Sequence, residues 1–275
     1  MNILEYTFFQ NALLGSFLAS ILCGLIGTYI VTRRLVFISG GITHASFGGI
    51  GLGVVLGISP ILSAMGFSIL SAFGVQWMSH RGDVREDSAI AVFWTFGMSL
   101  GIICCFLSPG FMPDLPSFLF GSILTIGEAD LWLLGTLVVL VAVVFVLLYR
   151  TILSVAFDAN FARSQRLPVD FIEYLMMALI AMTIVATLRM VGIVLSISLL
   201  TIPQMTANTL THDFKRIIAW SIVIGWVDCL LGLSLSYSLN VPSGASIIFV
   251  SILVYLVAKV GRVLHNQSKR KIETK

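Results

Sequence analysis

From Leu35 to Ser79 the chain carries no acidic or basic side chain except a single histidine, His44. The stretches 6–32 and 88–113 are equally free of charge. Runs of this kind constrain the fold more than any motif does. About 20 apolar residues in helical form cross a bilayer core, and a run twice that long has no place in a soluble core. Only 11% of the residues are charged and 58% are hydrophobic, against roughly 25% charged in a soluble domain. The chain therefore reads as an all-α, polytopic membrane protein. Backbone that faces lipid must satisfy its own hydrogen bonds, and a helix does this within one segment.

Proline and charge divide the runs into expected spans at 11–31, 37–57, 60–79, 89–107, 131–149, 170–188, 191–209, 217–237 and 243–261, giving eight or nine crossings. Ser59-Pro60 splits the longest run, because the residue before a proline is biased away from helix. The stretch "PDLPSFLFGSILTIG" (113–127) is short and broken by prolines, and it reads as an interfacial or re-entrant piece. Orientation follows from the basic residues. With "TRR" (32–34) in the cytoplasm and the spans alternating, fifteen of the 16 Lys and Arg residues fall inside and only Arg189 falls outside. The N-terminus is then external and the C-terminus cytoplasmic.

The opening "MNILEYTFFQ" has neither a basic region nor a cleavage site, so no signal peptide is expected. The organisation expected is one membrane domain, 1–265, with a cytoplasmic loop near 155–169 and a basic tail, 266–275. Lys269, Arg270 and Lys271 in that tail suit anionic headgroups, so the net charge of +3 gives no reason to expect a nucleic-acid partner. Cys23, Cys104, Cys105 and Cys229 all lie in apolar stretches without a CxxC pair, and they read as small buried hydrophobes.

Much chemistry is missing. There is no GxxxxGK[ST] stretch to cradle a nucleotide phosphate, and no HExxH or GxSxG at membrane depth. Any uphill work on a solute needs an ion gradient or a separate ATPase. Gradient-driven carriers keep ionisable groups inside their spans, and here the interior offers His44, Asp228 and, near span ends, Glu173 and Arg189. Asp228 reads either as a hydrogen bonder across a helix interface or as a group on a solute path.

The most unusual segment is "ISGGITHASFGGIGLGVVLG" (38–57), with seven glycines and His44. Residues four apart share a helix face, so Gly41, Ala45, Gly49, Gly53 and Gly57 form a row of small residues. Such rows let membrane helices approach closely. His44 lies in the neighbouring row with Gly40 and Gly48. A lone imidazole there is either a satisfied interhelical hydrogen bonder or one ligand of a metal site, and the pattern leaves both open.

Three stretches resemble the membrane subunits of bacterial ABC importers for zinc, manganese or iron. They are "RRLVFISGGITHASFGGIGLGVVLGISP" (33–60), "VGIVLSISLLTIPQMTAN" (191–208) and "LNVPSGASIIF" (239–249). The resemblance implies an ABC permease in the bacterial cytoplasmic membrane, without a cofactor or an enzymatic site of its own. Two permease copies would pair with two cytoplasmic ATPase subunits that hold the ATP, and an extracytoplasmic metal-binding protein would feed them. Many members carry Asp-x-x-x-His in the second span. Here His44 matches the histidine and Gly40 stands in place of the aspartate, which leaves a nitrogen donor and leans the expected cargo toward zinc over manganese or iron.

The resemblance also places His44 on the transport path, where Asp228 is a further candidate from its depth in the membrane, and it points to "VAFDANFARSQRLPVDF" (155–171) as the loop that docks on the ATPase. There Asp158 is expected to cap a short helix, Phe161 and Ala162 to offer the contact with Arg163 and Gln165 beside them, and Pro168 to stop it. Members often show a glycine where this chain has Arg166. Pro203 is expected to kink its span and free the Leu199 carbonyl. Two competing readings remain: an ABC permease for a metal chelate, haem or cobalamin, and a gradient-driven carrier using Asp228.

Overall fold

The computed structural model describes residues 6–82, 84–108 and 126–273. Those residues form helices α1 (Thr7–Thr32), α2 (Val36–Leu56), α3 (Pro60–Arg81), α4 (Glu86–Leu107), α5 (Glu128–Phe157), α6 (Ala159–Ser164), α7 (Val169–Leu199), α8 (Ile202–Leu210), α9 (Phe214–Leu239) and α10 (Ser243–Glu273), with no strand among them. Nine helical segments of the described residues are long and apolar enough to cross a membrane. Two of these come from α7, which breaks at Gly192 (φ 73°, ψ 176°), so its second half joins α8 as a separate crossing. Only a residue without Cβ adopts that backbone geometry cheaply.

Local chemistry sets most helix ends. Gly57 closes α2 in the left-handed region at φ 67°. Its neighbour Ile58 donates back to the Gly53 carbonyl, which completes a Schellman turn. Pro60 then opens α3 at a position where its missing N–H is not needed. His80 and Arg81 end α3 and Glu86 and Asp87 begin α4, each with the charge sign that suits the helix dipole. Asp213 caps α9 by accepting from the Arg216 N–H at 3.0 Å. The expected basic tail is no separate segment in backbone terms, because α10 runs unbroken to Glu273. The expected interfacial piece at 113–127 falls outside the described residues except for Ile126 and Gly127.

Helices α1, α2 and the two halves of α7 are mostly buried, while α4, α5 and α10 form the rim. The tightest packing surrounds α2, which lies between α3 and α4. Its small residues do not serve one seam. Gly41 meets Ile90 of α4, and Ala45 lies against Gly97 of α4. Gly49 and Gly53 instead face Ala64, Ser63 and Pro60 of α3. Gly57 leaves the row altogether: it is exposed, and an added Cβ would meet nothing within 4 Å. The row rule fails there because the helix ends in a left-handed turn that points the chain away.

A second seam runs through Gly48 and Gly51. A Cβ on Gly48 would sit 2.7 Å from the Gly97 carbonyl oxygen, and one on Gly51 would sit 3.0 Å from the Gly101 Cα. Helices α2 and α4 thus touch backbone to backbone. The buried hydroxyls of α2, Ser39, Thr43 and Ser46, do not disturb this packing, because they bond within their own helix, as Thr43 does to the Ser39 carbonyl at 2.6 Å.

Gly97→Val is expected to cost about 2–3 kcal/mol by overpacking, since its Cβ would lie 2.5 Å from the Ala45 Cα. Gly135→Val, where a Cβ meets nothing within 4 Å, serves as the neutral control. Thermal unfolding of the two variants in detergent compares them.

Candidate functional site

The close approach of α2 and α4 fixes the surroundings of His44. Its imidazole stacks on the Trp94 ring of α4, with centroids 4.5 Å apart and planes 4° apart. The side chain is half-buried, and Nδ1 is fully enclosed with no hydrogen-bond partner among the described residues. The reading of His44 as a satisfied interhelical hydrogen bonder therefore loses its support at Nδ1. One turn earlier, Gly40 is open: an added Cβ would find only the Ile197 Cδ1, at 3.9 Å. The position at which the resemblance implies an acid is therefore roomy. Trp94 keeps 39% of its surface exposed, so one flank of the His44 position is uncovered in the single chain.

Asp228 of α9 is completely buried, and neither carboxylate oxygen has a hydrogen-bond partner among the described residues. Ser251 of α10 lies beside it. A bare carboxylate in an apolar interior is costly unless it takes up a cation or a proton. The structure does not bring Asp228 and His44 together. Helix α2 packs on α1, α3, α4 and α7, whereas α9 packs on α1, α8 and α10.

A polar cluster that the sequence reading did not assemble lies at the end of the bundle where the basic loops gather. Glu173, only 3% exposed, accepts from Arg33 at 2.6 Å and from the Gln76 amide at 2.9 Å. His80 Nε2 stands 3.5 Å from the same carboxylate. One residue set thereby ties the end of α1, the end of α3 and the start of α7 around a cavity of about 40 Å³. His80, Asp170 and Glu173 place potential ligand atoms within 4.8 Å of one another, yet Arg33 already neutralises the buried member. Gln76 and His80 stand one turn apart on α3, but no sequence spacing links them to residues 33 and 173; helix packing does.

The loop after α5 joins this cluster. Asp158 accepts from the Phe161 N–H at 2.9 Å and caps the short helix α6. Arg163 pairs with Asp170 at 2.7 Å, and Gln165 forms the C-cap. Ala162 differs from expectation. It is completely buried inside the chain and has no surface to offer a partner. The apolar surface comes instead from Phe161, with Phe157 and Phe171 also exposed. Arg166, at the place where the resemblance implies glycine, adopts φ 59°. The turn is a Schellman motif, with Leu167 donating to the Ala162 carbonyl and Arg166 to that of Arg163.

Pro203 does not bend a continuous helix. The interruption lies before it, at Leu200 and Thr201, and Pro203 sits in the first turn of α8, where a missing N–H is harmless. The Leu199 carbonyl accepts from the Gln204 amide at 3.1 Å, and the same amide reaches the Cys23 carbonyl of α1 at 2.7 Å. Gly27 makes room for this contact, since its Cβ would lie 2.6 Å from the amide nitrogen. Gln204 was missed because a polar residue after a proline carries no periodic signal.

Residues 5–262 match the ABC 3 transport family. The chain belongs to that family. It is 42% identical, over 93% of its length and 91% of the relative's, to an uncharacterized membrane protein of Synechocystis sp.. It is also 32% identical to the manganese transport system membrane protein MntC of Halalkalibacterium halodurans, over 94% of this chain and 88% of that one. Among solved structures, PsaBC from Streptococcus pneumoniae in complex with Fab superposes with a TM-score of 0.82 at 28% identity, covering 92% of this chain and 91% of that one. The chain is thus a divalent-metal ABC transporter permease and a transport component, not itself catalytic. Family membership gives no support to the gradient-driven reading or to the lean toward zinc.

Removing the buried carboxylate by Glu173→Ala should cost about 3 kcal/mol, because it leaves Arg33 unpaired. The largely exposed Asp170→Ala should cost less than about 1 kcal/mol. Arg166→Gly should stabilise the fold by about 1 kcal/mol by relieving the left-handed conformation. Unfolding midpoints of the purified chain check all three.

Proposed function

We propose that this chain is the membrane permease of an ATP-driven importer of a divalent first-row metal ion in a bacterial cytoplasmic membrane. Two copies line the path and couple to separate ATPase subunits. An external metal-binding protein delivers the ion, and the basic end of the bundle is the cytoplasmic side. The observation that carries this reading is His44, held rigid by stacking on Trp94, with an unmatched Nδ1 and an open position at Gly40 one turn away. A histidine so placed offers its other nitrogen, Nε2, to a passing ion, and water or the second copy supplies the remaining ligands. Few protein ligands suit conduction, which needs an ion bound weakly enough to leave. The uncovered flank at Trp94 supports closure of the path by a second permease copy.

Manganese is the better cargo than zinc. The lean toward zinc rested on the missing oxygen ligand at Gly40. That position is open enough for water to provide the oxygen a harder ion prefers. The names of relatives such as MntC point the same way. Asp228, buried and unpartnered, serves as a second stopping point for a cation along the path.

Helix α6 is the coupling element. Phe161, flanked by Phe157 and Phe171, presents an apolar knob for a groove on the ATPase. Asp158 caps the helix, and Arg163 ties it to Asp170 at the start of the helix that carries Glu173. Motion of α6 then reaches α1 and α3 through a single buried ion pair and its amide neighbour.

Vesicles containing the permease, its ATPase and its binding protein test the proposal. His44→Ala should lower manganese uptake roughly tenfold or more while ATPase docking persists. Gly40→Asp should fold normally and raise uptake at low manganese. Phe161→Ala should cut metal-stimulated ATP hydrolysis roughly tenfold. Unchanged manganese and zinc uptake in His44→Ala would refute the role of the histidine.

A further inference from the structure

We propose that the groove between α1, α5 and α9 is a binding site for one anionic phospholipid, with its phosphate between Arg150 and Lys215. Helices α5 and α9 both pack along α1 but make few contacts with each other. They meet near their basic ends, where the Phe214 ring lies 6.2 Å from Tyr149 and 6.2 Å from Phe157. Away from that closure they leave a cavity of about 760 Å³.

Its apolar walls are Leu25 of α1, Ala142, Phe145 and Val146 of α5, and Ile218 of α9, and its closed end carries Arg150 and Lys215. The eight helical steps from Ala142 to Arg150 span roughly 12 Å, close to the depth of one leaflet of a bilayer core. A headgroup at Arg150 therefore lays its acyl chain along the apolar wall.

Charge selects an anionic lipid. The Lys215 Nζ rests 5.0 Å above the Tyr149 ring, so it is held at that end of the groove. Among the described residues the ion pairs use Arg33, His80, Arg85 and Arg163, leaving both groove cations without an acidic partner. The neighbouring acid, Asp213, is occupied in capping α9. A basic recess between membrane helices with an apolar shaft above it matches a phosphate ester with hydrocarbon chains. Free phosphate would leave the apolar walls unused.

The full-length chain, purified in a neutral detergent and titrated with phosphatidylglycerol or phosphatidylcholine, gives the test by native mass spectrometry. One retained phosphatidylglycerol per chain is expected. The double variant Arg150→Gln/Lys215→Gln should bind it about 30-fold more weakly, from the loss of two surface charges. Both side chains are exposed, so this variant keeps its fold. Ala142→Trp fills the shaft without touching either charge and should also weaken retention. The proposal is overturned if either variant retains phosphatidylglycerol as the parent chain does, or if phosphatidylcholine binds equally well. It also fails if Val146→Cys cross-links two copies in native membranes, because the groove would then be a chain–chain interface.

Discussion

The contact on which the architecture rests is the backbone approach of α2 to α4. Inside lipid no water is expelled when two helices meet, so association depends on close van der Waals packing. Gly48 and Gly51 on one helix, with Gly97 and Gly101 on the other, remove the side chains that would hold the backbones apart. That closeness brings Trp94 onto the face of His44. A bulkier pair would separate the helices, and the imidazole would lose the surface that fixes its plane. The candidate site is thus a consequence of residues that have no chemistry of their own.

At the basic end a different force takes over. Glu173 is nearly inaccessible, and such a carboxylate persists only with strong partners. Arg33 and Gln76 supply them from α1 and α3. Removing Arg33 would leave the buried charge unmatched and removing Gln76 would take a hydrogen bond from it, so pulling these helices away from the start of α7 is costly. Asp170, one turn before Glu173, carries the connection on to α6 through Arg163. Apolar packing could hold the same helices together, but it would tolerate sliding that a paired charge does not.

Parts of this organisation were legible in the sequence because they arise from local periodicity or composition. The charge-free runs gave the spans, and Asp158 announced a capped helix three residues before its bond to Phe161. The glycine row was visible as a four-residue repeat, yet its division between α3 and α4 was not. Spacing identifies a face but not the neighbour that covers it. Ala162 was misassigned for the same reason: a small residue on a short helix reads alike whether it faces a partner or its own core. Pro203 was read as a kink from its chemistry alone, whereas the helix had already ended at Leu199, four residues earlier.

By itself, then, the sequence determined that the chain is a bundle of membrane helices, which end faces the basic side, and where a solitary histidine sits at membrane depth. Those properties are sums over neighbouring residues, and solvent or lipid enforces them wherever the chain folds. Only the tertiary structure decided that His44 stacks on Trp94, that Glu173 gathers Arg33 and Gln76, and that Gln204 pins a helix break to α1. Each of these joins residues 50 to 181 positions apart. Such pairings are set by which helices pack together, a choice made by shape complementarity across the whole bundle and invisible in any single segment.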